Sequence, residues 1–121
     1  MQDIDIITSV DITETVSNPN SATYWLVSFD GKAHDDTTKQ WKKMTAACTF
    51  ADATTTADLA TYEFDTAGNA NTATQIETWM VNCIPPTGTN TLDFAIDLAT
   101  TDGTTLPSVD TITVNYYPEL E

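Results

Sequence analysis

The chain has 121 residues, enough for about one domain with a single core and too few for a second. Eighteen acids against four lysines, with no arginine, give a formal net charge of −14, well beyond the magnitude of ~2–8 usual for a small soluble domain. Such a surface repels itself and repels phosphate, so neither nucleic acid nor an anionic membrane is an expected partner.

The amino terminus, MQDIDIITSV, has no basic region and no continuous apolar run, and it reads as neither a secretion signal nor an anchor. No window approaches the ~18 apolar residues of a membrane span. Synthesis in the cytoplasm is the expectation.

Through DIDIITSVDIT, Ile4, Ile6, Val10 and Ile12 keep even parity while Asp3, Asp5 and Asp11 keep odd parity, the period-2 pattern of a half-buried strand. SNPNS (17 to 21) is a turn cluster, and TYWLVSF (23 to 29) follows with Trp25, Val27 and Phe29 on one face. The two segments are expected to pair as a hairpin. HDDTTKQWKK (34 to 43) is the one stretch that reads as helical, with an aspartate cap.

MTAACTF (44 to 50) groups Met44, Ala46, Cys48 and Phe50, and ATYEF (60 to 64) groups Ala60, Tyr62 and Phe64, both as strands. The tracts DATTTAD and TAGNANTAT read as exposed loops. QIETWMVNCI (75 to 84) is apolar on both faces, with Trp79, Val81 and Cys83 on one and Ile76, Met80 and Ile84 on the other. Read as a strand, it is either central or in contact with a partner.

The paired prolines and glycine of PPTGTN stop that run. TLDFAIDL (91 to 98) alternates without a fault, Leu92, Phe94, Ile96 and Leu98 against Asp93, Ala95 and Asp97, and VDTITVNYY (109 to 117) closes with Ile112, Val114 and Tyr116 in register. Seven to eight short strands separated by turn clusters describe an all-β fold of one domain, an antiparallel β-sandwich of immunoglobulin-like or jelly-roll type. Its expected core includes Ile4, Ile6, Trp25, Val27, Phe29, Phe50, Tyr62, Trp79, Val81, Phe94, Ile96, Ile112 and Val114.

Catalytic motifs are missing: there is no P-loop, GxGxxG, HExxH or GxSxG. His34 beside Asp35 and Asp36 lacks a nucleophile or a cysteine set, and reads as a surface loop residue. The chain is therefore expected to be no enzyme and to need no cofactor. Calcium is the one cation the acidic turns TTDGTT and SFDGKAHDD raise, but neither spaces its oxygens as an EF-hand loop does, and Asp-Gly is the ordinary signal of a tight turn.

Asp93 and Asp97 share an outward parity with Asp3, Asp5, Asp11 and Asp110, the distribution of a solvated skin that discourages edge pairing. The positive charges are concentrated instead. Lys32, Lys39, Lys42 and Lys43 all lie within residues 32 to 43, with Trp41 among them, so that segment carries +2 after Asp35 and Asp36. In an acidic molecule it is the stretch that would attract an acidic copy or lattice. With Ile76, Met80 and Ile84 supplying apolar area, these residues form the candidate assembly contact, and reversing Lys42 and Lys43 is expected to weaken it.

Thirteen aspartates and 25 threonines resemble in composition a salt-adapted, halophilic protein or the shell protein of a marine or haloarchaeal virus. Cys48 and Cys83, with Trp79 near the second, resemble the Cys, Trp, Cys arrangement of immunoglobulin domains. That likeness implies a bridge between two sheets, although its tryptophan lies earlier than Trp79 does here; two buried thiols acting as small hydrophobes are the other reading. In style the chain resembles the decoration, turret or tail accessory proteins of tailed viruses. The resemblance implies a non-enzymatic virion subunit, a homo-oligomer that binds its own copies and other structural proteins. The alternative is an extracellular carbohydrate-binding or adhesion module using Trp41, Tyr116 or Tyr117 as stacking platforms.

Overall fold

A computed structural model of the protein describes residues 4–16, 20–64, 68–81, 91–100 and 109–120, with the backbone alone for 4–9, 16, 109 and 115–120. These residues are mostly strand, as the alternation predicts. In chain order they are β1 (Ile4–Val16), β2 (Ser21–Ser28), β3 (Gln40–Ala46), β4 (Thr49–Thr55), a 3-10 helix (Thr56–Thr61), helix α1 (Ala73–Trp79), β5 (Asp93–Thr100) and β6 (Val109–Leu120). They build two antiparallel sheets, a ribbon of β1 and β6 and a four-stranded sheet in the order β4-β3-β2-β5.

The hairpin expected between the first two segments does not form. β1 runs against β6, from Ile4↔Leu120 to Val16↔Val109, while β2 takes β5 on one side and β3 on the other. Burial explains the choice. Along β1 and β6, exposed Asp11, Thr13, Thr15, Thr111 and Thr113 alternate with better-buried Val10, Ile12, Ile112 and Val114, so a ribbon with one wet face suits them. β2 is apolar on both faces and is buried from Trp25 onward, which demands a central place.

Three further segments depart from the expected strands. Residues 44 to 50 are two strands, because the chain reverses at Ala47 and Cys48, where Cys48 takes a left-handed backbone (φ 58°). Met44 and Phe50 still meet, now as a cross-strand pair. Ala60 and Thr61 end the 3-10 helix, the chain is extended at Tyr62, and Tyr62 and Phe64 touch edge to face with centroids 5.3 Å apart.

The third is the segment 75 to 84, which begins as a helix. Thr72 accepts from the Gln75 amide, and the Gln75 side chain accepts from the Thr72 amide in return, closing a capping box. Ile76 and Met80 lie four apart, a spacing that fits one helix face as well as one strand face, and both are buried. Val81 is 51% exposed and drops out of the expected core, and Ile84 and Cys83 lie outside the described residues. The stretch read as helical, 34 to 43, is instead two turns followed by the start of β3.

The four-stranded sheet is covered on both faces. One carries Trp25, Val27, Phe29 and Met44 against Ile76 and Met80 of α1, with Val10, Ile12, Ile112 and Val114 of the ribbon packed on the same cluster. The other carries Leu26, Trp41 and Ala95 under Leu59, Tyr62 and Phe64. Glu77 of α1 accepts from the Ile12 amide at 2.8 Å, which ties the helix to the edge of the ribbon.

A single buried asparagine completes the sheet's centre. In the register that pairs Val27 with Lys42, Trp25 falls opposite Met44, but the two strands do not bond there. Asn71 stands between them. Its backbone exchanges both hydrogen bonds with Trp25 (2.8 and 2.9 Å), its Oδ1 accepts from the Met44 amide at 2.7 Å, and its Nδ2 donates to the Met44 carbonyl at 2.9 Å. Asn71→Ala leaves the Met44 donor and acceptor unpaired inside the protein and should cost about 2–4 kcal/mol in urea unfolding. Asn71→Asp, isosteric but unable to donate to the Met44 carbonyl, should fail to restore that loss.

Candidate functional site

The lysine cluster expected on the surface is mostly elsewhere. Lys39 is fully buried. Its ammonium donates to Asp93 Oδ2 at 2.8 Å, to the Lys32 carbonyl at 2.8 Å and to Asp30 Oδ1 at 3.2 Å, which uses all three of its protons. Asp30 also accepts from the Gln40 amide at 2.8 Å and the Lys32 amide at 3.0 Å. Burial works to raise the Asp30 pKa, and these two amides together with the Lys39 ammonium outweigh it, holding the carboxyl at about 2. For Lys39 burial works downward, and its bonds to Asp93 and Asp30 prevail and raise it above the ordinary lysine value.

This arrangement joins the end of β2, the start of β3 and the start of β5 at one corner. It also sets Trp41, whose ring centroid lies 5.3 Å from the ammonium and whose Nε1 donates to Thr56 Oγ1 at 3.0 Å. The Asp of the FDGK turn, Asp30, is thereby bonded within the fold. Among the described residues no group of three or more His, Cys, Asp or Glu is placed to hold a metal ion.

Beside the corner lies an open cavity of about 390 Å³, within the ~300–1,000 Å³ usual for ligand sites. Trp41, Leu59, Tyr62 and Phe64 form its apolar wall, β5 supplies Phe94 to Asp97, and His34 stands at its rim. Among the described residues β5 is the outermost strand of its sheet. Val27 faces Phe94, Trp25 faces Ile96 and Thr23 faces Leu98, so the apolar row of TLDFAIDL does lie on one sheet face. Only its first part reaches the core. Phe94 packs edge to face on Trp25 with centroids 5.2 Å apart, while Ile96 and Leu98 are 38% and 44% exposed.

The assembly contact expected from the sequence is therefore not one surface. Ile76, Met80, Trp41 and Lys39 are interior residues. Lys32 is exposed and donates to Thr38, and Lys42 is half-buried and paired with Asp52. Lys43 is half-buried, its ammonium close to Gly68. Cys48 is exposed and disulfide-bonded, which overturns the buried-thiol reading for it; Cys83 is the chain's other cysteine. The Cys48 sulfur lies 3.9 Å from the Val81 carbonyl oxygen, just past α1. The side chains of Tyr116 and Tyr117 lie outside the described residues, and no helix among the described residues is long and apolar enough to cross a membrane.

Sequence reasoning missed Asp30 and Asp93 as the partners of Lys39, and Tyr62 and Phe64 as cavity walls. The Asp-Gly turn hid the first, and the strand assigned to 60–64 hid the last two. Comparison with protein-family models, curated proteins and solved structures finds no match to this chain.

Lys39→Met should cost about 2–4 kcal/mol at neutral pH, since it leaves Asp30 facing Asp93 without a cation; Asp93 is partly solvated, which keeps the figure below that of a fully buried pair. The Asp30 carboxyl, at about 2 in the fold against an ordinary 3.8, contributes ~2 kcal/mol that is present above pH ~4 and lost as pH falls toward 2. The raised Lys39 contributes below its ordinary 10.5 and loses that contribution as pH rises past it. Urea titrations across pH should show the gap between wild type and Lys39→Met narrowing on acidification below about pH 4.

Proposed function

We propose that the chain is a non-enzymatic structural subunit, an accessory protein of a virus particle of the decoration, turret or tail kind, that works in several copies by binding neighbouring protein subunits. The observation that carries the reading is β5, eight residues long and outermost in its sheet among the described residues, whose pairing with β2 runs without a bulge and whose Ile96 and Leu98 are exposed. Natural sheets usually blunt such an edge with lysine, proline or a bulge. Apolar side chains exposed along a strand mark a surface for contact with another chain.

In this reading the two sheets pack as an antiparallel sandwich of immunoglobulin-like or jelly-roll type, with Val10, Ile12, Ile112 and Val114 as the ribbon's side of the shared layer. Charge sets the conditions of assembly. Copies of −14 repel one another at low salt, and the screening length falls from ~10 Å at 0.1 M to ~3 Å at 1 M. Thermal stability and association should therefore both rise with salt, the behaviour a salt-adapted particle needs.

Sedimentation of the purified chain at about 0.1 M and about 1 M sodium chloride tests the proposal. A defined oligomer that grows in population with salt supports it; a monomer under both conditions, which also fails to bind particles lacking it, removes it.

The cavity favours a second reading, a carbohydrate-binding or adhesion module, because aromatic walls beside His34 and Asp97 offer both stacking and polar contacts. Trp41, the platform expected from the sequence, is 3% exposed, so Tyr62 would carry the stacking. Calorimetric titration with neutral oligosaccharides separates the two: saturable binding by a monomer supports the module.

A further inference from the structure

We propose that the disulfide between Cys48 and Cys83 is a reversible redox latch on α1, opened by attack of a small thiolate on the exposed Cys48 and closed again by exchange with a small disulfide. The latch operates within one copy of the chain and is independent of the assembly reading.

The partner follows from the cysteine count. The chain has two cysteines and Cys48 is disulfide-bonded, so Cys83 is the other half of the bond. Between them lie β4, the 3-10 helix, Asn71 and α1. Closing a loop of this length restrains the unfolded chain enough to lower the unfolding constant by about a few hundredfold.

Cys48 lies at the reversal between β3 and β4 and is exposed, so a thiolate in solution reaches it without opening the sheet. Its backbone is left-handed (φ 58°), a conformation that glycine or asparagine adopts far more readily than cysteine. The cysteine is held there by what its sulfur does. That sulfur lies 3.9 Å from the Val81 carbonyl oxygen, just past α1.

The helix is short and unequally closed. Its start has the capping box of Thr72 and Gln75, whereas at its end Met80 donates to the Ile76 carbonyl at 3.0 Å with φ −85°, outside the left-handed conformation that commonly ends a helix. Val81, 51% exposed, adds little apolar burial beyond it. The bridge therefore pins the weaker end of α1, and through Glu77, which accepts from the Ile12 amide, it steadies the ribbon as well. Ile76 and Met80 are buried and keep the helix docked when the bond opens, so the reduced chain is loosened and still folded.

Opening is ordinary thiol–disulfide exchange. A thiolate attacks the Cys48 sulfur, the S–S bond breaks, and Cys83 leaves as a thiolate that takes up a proton. A second small thiolate then attacks the small-molecule sulfur of the mixed disulfide and releases Cys48. Two small thiols thus supply two electrons and two protons and end as one small disulfide; closing is the reverse, with that disulfide as the oxidant. A reducing compartment holds the latch open and an oxidising one holds it shut.

The test treats the oxidised chain with dithiothreitol in native buffer and counts thiols by alkylation and intact mass. Both cysteines should become alkylated while far-UV circular dichroism keeps its strand signal, and oxidised glutathione should restore the bond. A brief pulse of reduced glutathione should leave its adduct on Cys48. In the reduced chain, hydrogen exchange at the Met80 and Ile12 amides should become insensitive to low urea, the mark of local opening, while Trp25 and Asn71 keep the urea dependence of global unfolding. Reduction should raise the unfolding constant by about a few hundredfold. A Cys48→Gly, Cys83→Ser chain, whose glycine takes the left-handed backbone without strain, should show local opening at every glutathione ratio.

A bond that opens only at urea concentrations that unfold the chain, or circular dichroism lost on reduction, overturns the latch and leaves a structural staple. An adduct on Cys83 overturns Cys48 as the attacked sulfur. Met80 and Ile12 amides that keep the urea dependence of Trp25 in the reduced chain overturn the coupling to α1, whether or not the double variant folds.

Discussion

Asn71 holds β2 and β3 together at the point where their own ladder opens. With backbone bonds to Trp25 and amide bonds to Met44, one side chain stands in for a peptide group that neither strand can supply. The rest of the fold is hung on that point. Trp25 and Met44 lie in the larger core cluster, Thr72 caps α1 in the next position, and α1 in turn delivers Ile76 and Met80 to the same cluster and Glu77 to the ribbon. Buried amides are costly unless fully paired, so this network specifies one arrangement of the elements around it.

Lys39 plays the matching role at the other end of the same strand pair. Asp30 and Lys39 fall opposite each other in the register set by Val27 and Lys42, and Asp93 brings the start of β5 to the same ammonium. A lysine that looks like surface charge in a list of residues is here a fully buried tie between three strands. Of the chain's four lysines Lys39 is thus spent on internal pairing, while Lys32 is exposed and Lys42 and Lys43 are half-buried.

An acidic surface and an apolar edge have opposed consequences. Repulsion between copies of an acidic chain is strongest at low salt, and screening permits close approach when salt is high. Within β5 the two tendencies are separated by parity: aspartates face the Lys39 side of the sheet and the large apolar residues face the other.

The sequence alone determined that the chain is mostly β, that Trp25, Val27 and Phe29 share a buried face and that β5 divides into an acidic and an apolar side, because period-2 alternation is local and each residue carries its own vote. It could not decide which strand pairs with which. β1 finds β6 across almost the whole chain, a choice set by which strands need two covered faces. Residues 75 to 84 were ambiguous by arithmetic, since Ile76 and Met80 satisfy both the helical and the strand period; the capping box at Thr72 was a readable signal that the apolar pattern outweighed. The status of Lys39, Trp41 and Asn71 as interior residues depended on groups distant in sequence, Asp93 and Met44 above all. Only the tertiary structure brings those groups within hydrogen-bond reach, and with them it decides what remains on the surface to meet a partner.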